Sequence, residues 1–461
     1  MREQITLSPI DGQEVVRREL ASPQQLADAV ARAGRAQAAW RDMSLGERCR
    51  LVGAGVDRFV ARKDVIAEEI TRQMGRPLRQ APGEVDGFAA RARHMLSVAE
   101  EALATVVPAP MAGFTRYIER EPWGTVLVVA PWNYPLLTAV NAVVPALVAG
   151  NAVLLKHSAQ TPLAAERMVQ AFTEAGVPPE VFQFIHCDHD ATQRLIAGEG
   201  IAFVCFTGSV QGGAAVERAA AGRFIGVGLE LGGNDPAYVR ADADLQQAVE
   251  TIVDGAFFNA GQSCCGIQRV YVDRACHEAF IDAAVALAQQ YVLGDPLQAD
   301  TTLGPLVRPA AADAVRAVID EAVSRGAQAL VDPRRFARDL PGTAYMAPQI
   351  LRRVDHSMRL MADECFGPVF GVMPVEGDDE AVRLMNDSAY GLTAALFTRD
   401  TQAAAAIGRR LQTGTVFMNR CDHLDPALAW TGVKHTGRGV TLSVLGYEHL
   451  TRPKSYHLKH L

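Results

Sequence analysis

The chain has 461 residues, enough for two or three domains with large buried cores. Hydrophobic residues at 49% and charged residues at 21% exclude a disordered or collagen-like chain, and a net charge of −7 gives no electrostatic case for nucleic acid or an anionic membrane. Eight cysteines in so long a chain make no disulfide framework, and none are spaced C-x-x-C, so no metal site is expected. No apolar run reaches membrane-spanning length, and residues 1–5 lack a charged-then-apolar leader. The expectation is a reduced, cytoplasmic protein.

In chain order, residues 8–12 read as a turn between two short strands. From Ser22 the pattern turns helical, with Leu26, Ala29, Val30 and Ala33 on one face and Ser22-Pro23 as the cap. Further helices are predicted over 44–62, 63–74 and 83–104, and an exposed strand over 117–121. Residues 126–149 are the most apolar stretch, interrupted by Pro131, Pro135 and Pro145. From Thr125 short β-rich runs (126–129, 152–155, 181–185, 202–206) alternate with helices (163–175, 191–197, 210–221), the rhythm of a doubly wound parallel sheet. A second alternating block follows Cys264, with strands at 270–272, 328–330, 349–352 and 369–375. Its helices fall at 277–291, 311–325, 379–385 and 401–411. The tail from Tyr456 reads as an edge strand.

Several short stretches carry possible chemistry. Cys264 stands in Asn259-Ala260-Gly261-Gln262-Ser263-Cys264-Cys265-Gly266, a setting of glycine and small polar residues that suits a reactive thiol better than a packing one. Glu230, in Gly228-Leu229-Glu230-Leu231-Gly232-Gly233, is a lone carboxylate among apolar residues, where burial would raise its pKa toward that of a general base. Asn133, in Pro131-Trp132-Asn133-Tyr134-Pro135, could donate to an oxyanion; alone, the stretch is also an ordinary turn. Lys156 ends a strand where a doubly wound sheet meets ribose or phosphate, although by itself it reads as a solvated surface side chain. Phe206-Thr207-Gly208-Ser209 is strand, glycine turn and helix start, with Ser209 as cap. Glu364-Cys365-Phe366-Gly367-Pro368 sets a carboxylate and an aromatic beside a turn.

Taken in order, PWN, FTGS, ELGG, GQSC and E-x-F-G-P resemble the aldehyde dehydrogenase superfamily, over residues 8 to about 456. The resemblance implies two doubly wound parallel-sheet domains plus a small β extension for oligomerisation. Residues 1–105 and 123–230 would bind the dinucleotide, 231–440 would form the catalytic domain, and 106–122 with 441–461 would supply oligomerisation strands. Cys264 would attack the aldehyde, Asn133 and the Cys264 backbone N–H would hold the oxyanion, and hydride would leave for the nicotinamide. Glu230 would then activate the water that releases the acid. CoA-acylating members typically lack that carboxylate, which favours hydrolysis over transfer to CoA. Trp132, Lys156, Ser158, Ala159, Gly208, Ser209, Gly213, Leu231, Glu364 and Phe366 would hold NAD or NADP. Tyr134, Thr138, Phe258, Cys265 and Trp430 would line the substrate path. Cys265 either packs behind the loop or captures an oxidised Cys264.

Three departures from the family pattern stand out. Lys156-His157-Ser158-Ala159 lacks the usual acid on the adenosine ribose, so a 2′-phosphate meets no repulsion and NADP should be tolerated. Ala429-Trp430-Thr431-Gly432-Val433-Lys434 replaces the usual Pro-Phe-Gly-Gly before the late Lys. Asn141 stands where succinate-semialdehyde members carry an Arg, which weakens, without excluding, a dicarboxylic semialdehyde; the alternatives are a semialdehyde dehydrogenase and a CoA-acylating enzyme. The partners implied are a small-molecule aldehyde and further copies of the chain, as homodimer or homotetramer.

Overall fold

Ser22 shows how local chemistry starts the helical layer. Its Oγ accepts from the Gln25 N–H at 3.2 Å, and the Gln25 side chain takes the Ser22 N–H at 2.8 Å, a closed capping box. The helix Pro23–Asp42 that follows buries Leu26, Ala29, Val30 and Ala33, the face its spacing predicts. Before it, Glu3–Leu7 and Glu14–Glu19 pair antiparallel around the expected turn. The computed structural model describes residues 2–461.

The helix Leu45–Val60 and the helix Lys63–Met74 fall where periodicity puts them. The predicted helix over 83–104 is instead Ala81–Ser97, a break at Val98, and the short Ala99–Ala102. These helices pack on Leu137–Val148 and Pro162–Glu174, which lie against the strands of a six-stranded sheet. The strand order is Gly437–Arg438, Gly226–Glu230, Phe203–Thr207, Thr125–Ala130, Ala152–His157, Phe182–Phe184. All neighbours are parallel except the late edge strand, which joins Glu230 and Leu229 in antiparallel register. Thr125–Ala130 and Ala152–His157 are buried along their whole length, as strands covered on both faces must be.

The second sheet has seven strands, ordered Gln328–Ala329, Gln349–Arg352, Val369–Val375, Ile267–Asp273, Asp235–Val239, Thr393–Phe397, Thr415–Met418. It begins before Cys264, because Asp235–Val239 lies at its centre. The nucleophile candidate therefore sits between two central strands of this sheet rather than ahead of the block.

A two-stranded ribbon completes the molecule. Phe114–Pro122 pairs antiparallel with Thr451–Lys459, with Tyr117 opposite Tyr456 and their rings stacked at 4.5 Å. The tail thus finds a partner within its own chain, and the strand starts at Phe114, three residues ahead of the Tyr117 expected. Among the described residues, no helix is long and apolar enough to cross a membrane.

Candidate active site

The chain approaches Cys264 through an unusual turn. Asn259, Ala260 and Gly261 all have left-handed backbone, with φ of 54°, 55° and 69°. At Gly261 a Cβ would lie 2.1 Å from the Gly367 carbonyl oxygen, so only glycine fits. Asn259 is buried and ties the turn down. Its amide donates to the carbonyl oxygens of Asn133 (3.1 Å) and Gln262 (3.2 Å), and its Oδ1 accepts from Arg76 Nε at 3.0 Å. Arg76 in turn ion-pairs with Glu84, donates to the Asn133 carbonyl, and lies 4.5 Å over the Tyr134 ring. No local pattern marks Arg76 or Glu84, since an Arg beside a helix stop and a Glu in a helix carry no distinguishing signal, and the anchoring role of Asn259 within the Cys264 stretch depends on the fold.

This frame brings the Asn133 and Cys264 loops together. Asn133 Nδ2 donates one N–H to the Gln262 carbonyl at 3.2 Å, and an amide nitrogen has a second N–H to give. Cys264 is partly exposed, onto a cavity of about 680 Å³. Glu230 reaches the same cavity from the end of the Gly226–Glu230 strand. Burial pushes its carboxyl up from the usual range, against the pull of two hydroxyls and of Arg91. Thr441 Oγ1 donates to one oxygen at 2.6 Å and Thr207 Oγ1 to the other at 3.2 Å. Thr441 gets there because the edge strand Gly437–Arg438 docks on the Glu230 strand.

Tyr134, Thr138, Phe258, Cys265 and Trp430 all line this cavity, as does Leu231. Cys265 is buried, and its Sγ donates to Asp422 Oδ1 at 2.8 Å, a contact that ties it into the wall. The adjacent Cys264 and burial push the Cys265 thiol well up. Burial likewise pushes Asp422 up to about 6. Nothing in the sequence marked Asp422, which arrives from 157 positions along the chain.

The remaining candidates gather at the carboxyl ends of the six-stranded sheet. Lys156 is only 6% exposed, not a solvated surface side chain, and among the described residues it has no hydrogen-bond or ion-pair partner. Burial pushes its ammonium down. After it, Ser158 and Ala159 lie in a turn, and the next helix starts only at Pro162. Ser209 caps the Val210–Ala220 helix by accepting from the Gly212 N–H at 3.1 Å, and the Gly208 N–H donates to the Glu230 carbonyl at 3.0 Å. Gly213 packs on Leu231, where a Cβ would come within 2.6 Å. Glu364 accepts from the Gly233 N–H at 3.2 Å, and burial pushes its carboxyl up to about 7. A Cβ on Gly232 would sit 2.1 Å from that carboxylate. Phe366 and Trp132 pack edge to face, with centroids 5.8 Å apart. An unpartnered buried ammonium, a capped helix start and a glycine-cleared carboxylate at one sheet edge fit a dinucleotide.

Fold and site together define a two-sheet α/β protein with a thiol and a half-buried carboxylate on one cavity beside a dinucleotide-type sheet edge. The model of the aldehyde dehydrogenase family matches residues 2–456. Succinate semialdehyde dehydrogenase [NAD(P)+] Sad of Escherichia coli (strain K12) is 33% identical over 452 residues, covering 96% of this chain and 95% of that protein. Betaine aldehyde dehydrogenase 2 of Rhizobium meliloti (strain 1021) is 33% identical, covering 98% and 93%. The structure of NADP-dependent glyceraldehyde-3-phosphate dehydrogenase from Bacillus halodurans C-125, complexed with NADP, superposes with a TM-score of 0.93 at 31% identity, covering 100% and 96%. The chain belongs to the aldehyde dehydrogenase family, oxidoreductases that oxidise aldehydes with NAD(P)+.

Proposed function

We propose that this chain oxidises an aldehyde to the free carboxylic acid through a thioester on Cys264. The observation that carries the reading is the shared cavity: Cys264 opens onto it, and Glu230 reaches it as a half-buried carboxylate steadied by Thr441 and Thr207. Cys264 attacks the carbonyl carbon. The free amide N–H of Asn133 and the Cys264 backbone N–H hold the oxygen as it gains charge. NAD(P)+, when bound, supplies the two-electron acceptor. The acyl group is carried on the Cys264 sulfur until Glu230 takes a proton from the water that hydrolyses it.

Trp132, Lys156, Ser158, Gly208, Ser209, Gly213, Leu231, Glu364 and Phe366 would hold the dinucleotide. Ala159 leaves room and no negative charge against a 2′-phosphate, so both NAD and NADP are expected to serve. Residues 1–105 and 123–230 form the dinucleotide-binding unit in this reading, 231–440 the catalytic unit, and 106–122 with 441–461 the strands that join copies.

A CoA-acylating reaction is the rival outcome. Reduced-cofactor formation from a panel of aldehydes, with NAD and with NADP, with and without CoA, separates the two. Turnover without CoA is expected; strict dependence on CoA would overturn hydrolytic release, and strict use of NAD would overturn the role given to Ala159.

A further inference from the structure

Arg91 is a buried cation in this cavity that the mechanism above does not use. It lies on the Ala81–Ser97 helix, one turn beyond Gly87 and two beyond Glu84, and all three line the cavity. The residue is 9% exposed. Its Nη1 donates to the Leu137 carbonyl at 2.9 Å and to Asn141 Oδ1 at 3.2 Å. Both acceptors are neutral. Among the described residues Arg91 has no ion pair, whereas Arg76, the other arginine in the cavity wall, is paired with Glu84.

Glu230 and Glu84, in the same cavity wall, act on Arg91 through space, but neither is ion-paired or hydrogen-bonded to it; a guanidinium so buried normally has a bonded anionic partner to offset the cost. The unused side of Arg91 shows what partner fits. Nε and Nη2 make no hydrogen bond in the protein, yet neither is sealed inside it, so this edge faces the cavity. One N–H from each, side by side, is the fork that grips two oxygens of a carboxylate or phosphate. Asn141 holds the guanidinium by its other edge, through Nη1. Charges of the other sign also line the cavity. Asp254 and Glu250 project from the helix Leu245–Phe257, and Asp422 is occupied by Cys265 and Ser263. They make a cationic aldehyde the competing occupant.

We infer that Arg91 grips an anionic oxygen pair on the substrate, so that the substrate class is an aldehyde bearing a carboxylate or phosphate away from the reacting carbon. This rests on the aldehyde-oxidising reading of the same site, and it reverses the expectation drawn from Asn141.

The test compares 4-oxobutanoate with its methyl ester, glyceraldehyde 3-phosphate with glyceraldehyde, and betaine aldehyde, in the wild type, Arg91→Gln and Arg91→Lys. An acid-to-ester or phosphate-to-alcohol ratio in kcat/KM of about 100 is expected in the wild type, carried by KM. Which pair shows it tells carboxylate from phosphate. Arg91→Gln should bring the ratio close to one, and Arg91→Lys should restore part of it. A wild type without the preference, a preference for betaine aldehyde, or equal losses on charged and neutral members would overturn the inference. Should no aldehyde be oxidised at all, the aldehyde-oxidising reading fails by itself. Calorimetric binding of succinate and of inorganic phosphate to the wild type and to Arg91→Gln then decides Arg91: tighter binding of either anion by the wild type supports the grip, and equal or absent binding refutes it.

Discussion

Glu230 is held in a balance between burial and hydrogen bonds. Burial raises its carboxyl, while the 2.6 Å bond from Thr441 favours the charged form. Thr441→Val removes that bond and leaves burial unopposed on that oxygen, so the carboxyl rises further. The limb of the pH–rate profile that reports deprotonation of Glu230 should move to higher pH, with little change above it. A limb that stays in place would dissociate Thr441 from Glu230. Cys264 and Glu230 were legible because each sits in a short glycine-bearing stretch whose composition is unusual. Thr441, Asp422 and Arg91 were not: Thr, Asp and Arg are common everywhere, and their importance comes from neighbours that only folding supplies. Lys156 was placed at its strand end, but its burial depends on the layers around it.

The helices and strands that sequence patterning missed each lack a local signature, for different physical reasons. Leu137–Val148 is buried on nearly every side, so no polar face marks its period, and Pro145 stands inside it. Asp235–Val239 carries Pro236, and Thr393–Phe397 is half alanine-like in size, so neither reads as a strand. The amphipathic helices were legible to within a few residues because one face meets solvent. The edge strand Gly437–Arg438 is the element on which the placing of Thr441 depends. Gly437 has φ of 111°, and a Cβ there would come 2.3 Å from the Leu229 carbonyl oxygen. Gly437→Ala should cost about 1–3 kcal/mol from backbone strain, lower the melting temperature and depress turnover by shifting Thr441. Gly113→Ala, also at positive φ but with open space around it, serves as the comparison and should leave turnover alone. Equal effects from the two would remove the edge strand from the account.

Across the whole molecule, the ribbon of Phe114–Pro122 and Thr451–Lys459 is held chiefly by its own strand pairing. A two-stranded ribbon is marginal in water, and Val107 and Leu458 are exposed on or beside it, at 72% and 49%. Pairing with the ribbon or sheet edge of another copy would cover them. Light scattering should therefore give the mass of a dimer or tetramer, and the double variant Val107→Glu with Leu458→Glu should shift it toward the monomer. A monomeric wild type would contradict this assembly. The two-sheet architecture was legible as an alternation of strands and helices, while the return of residues 437–441 to the first sheet was not, since long-range pairing leaves no local pattern.

Release of the acid by Glu230-activated water is the central claim, and single-turnover kinetics of Glu230→Gln without CoA address it most directly. The account predicts a burst of reduced cofactor close to one equivalent per site, an acyl group trapped on Cys264 in the mass spectrum, and steady turnover reduced by about 100-fold or more. Undiminished steady turnover, with no trapped acyl group, would contradict it.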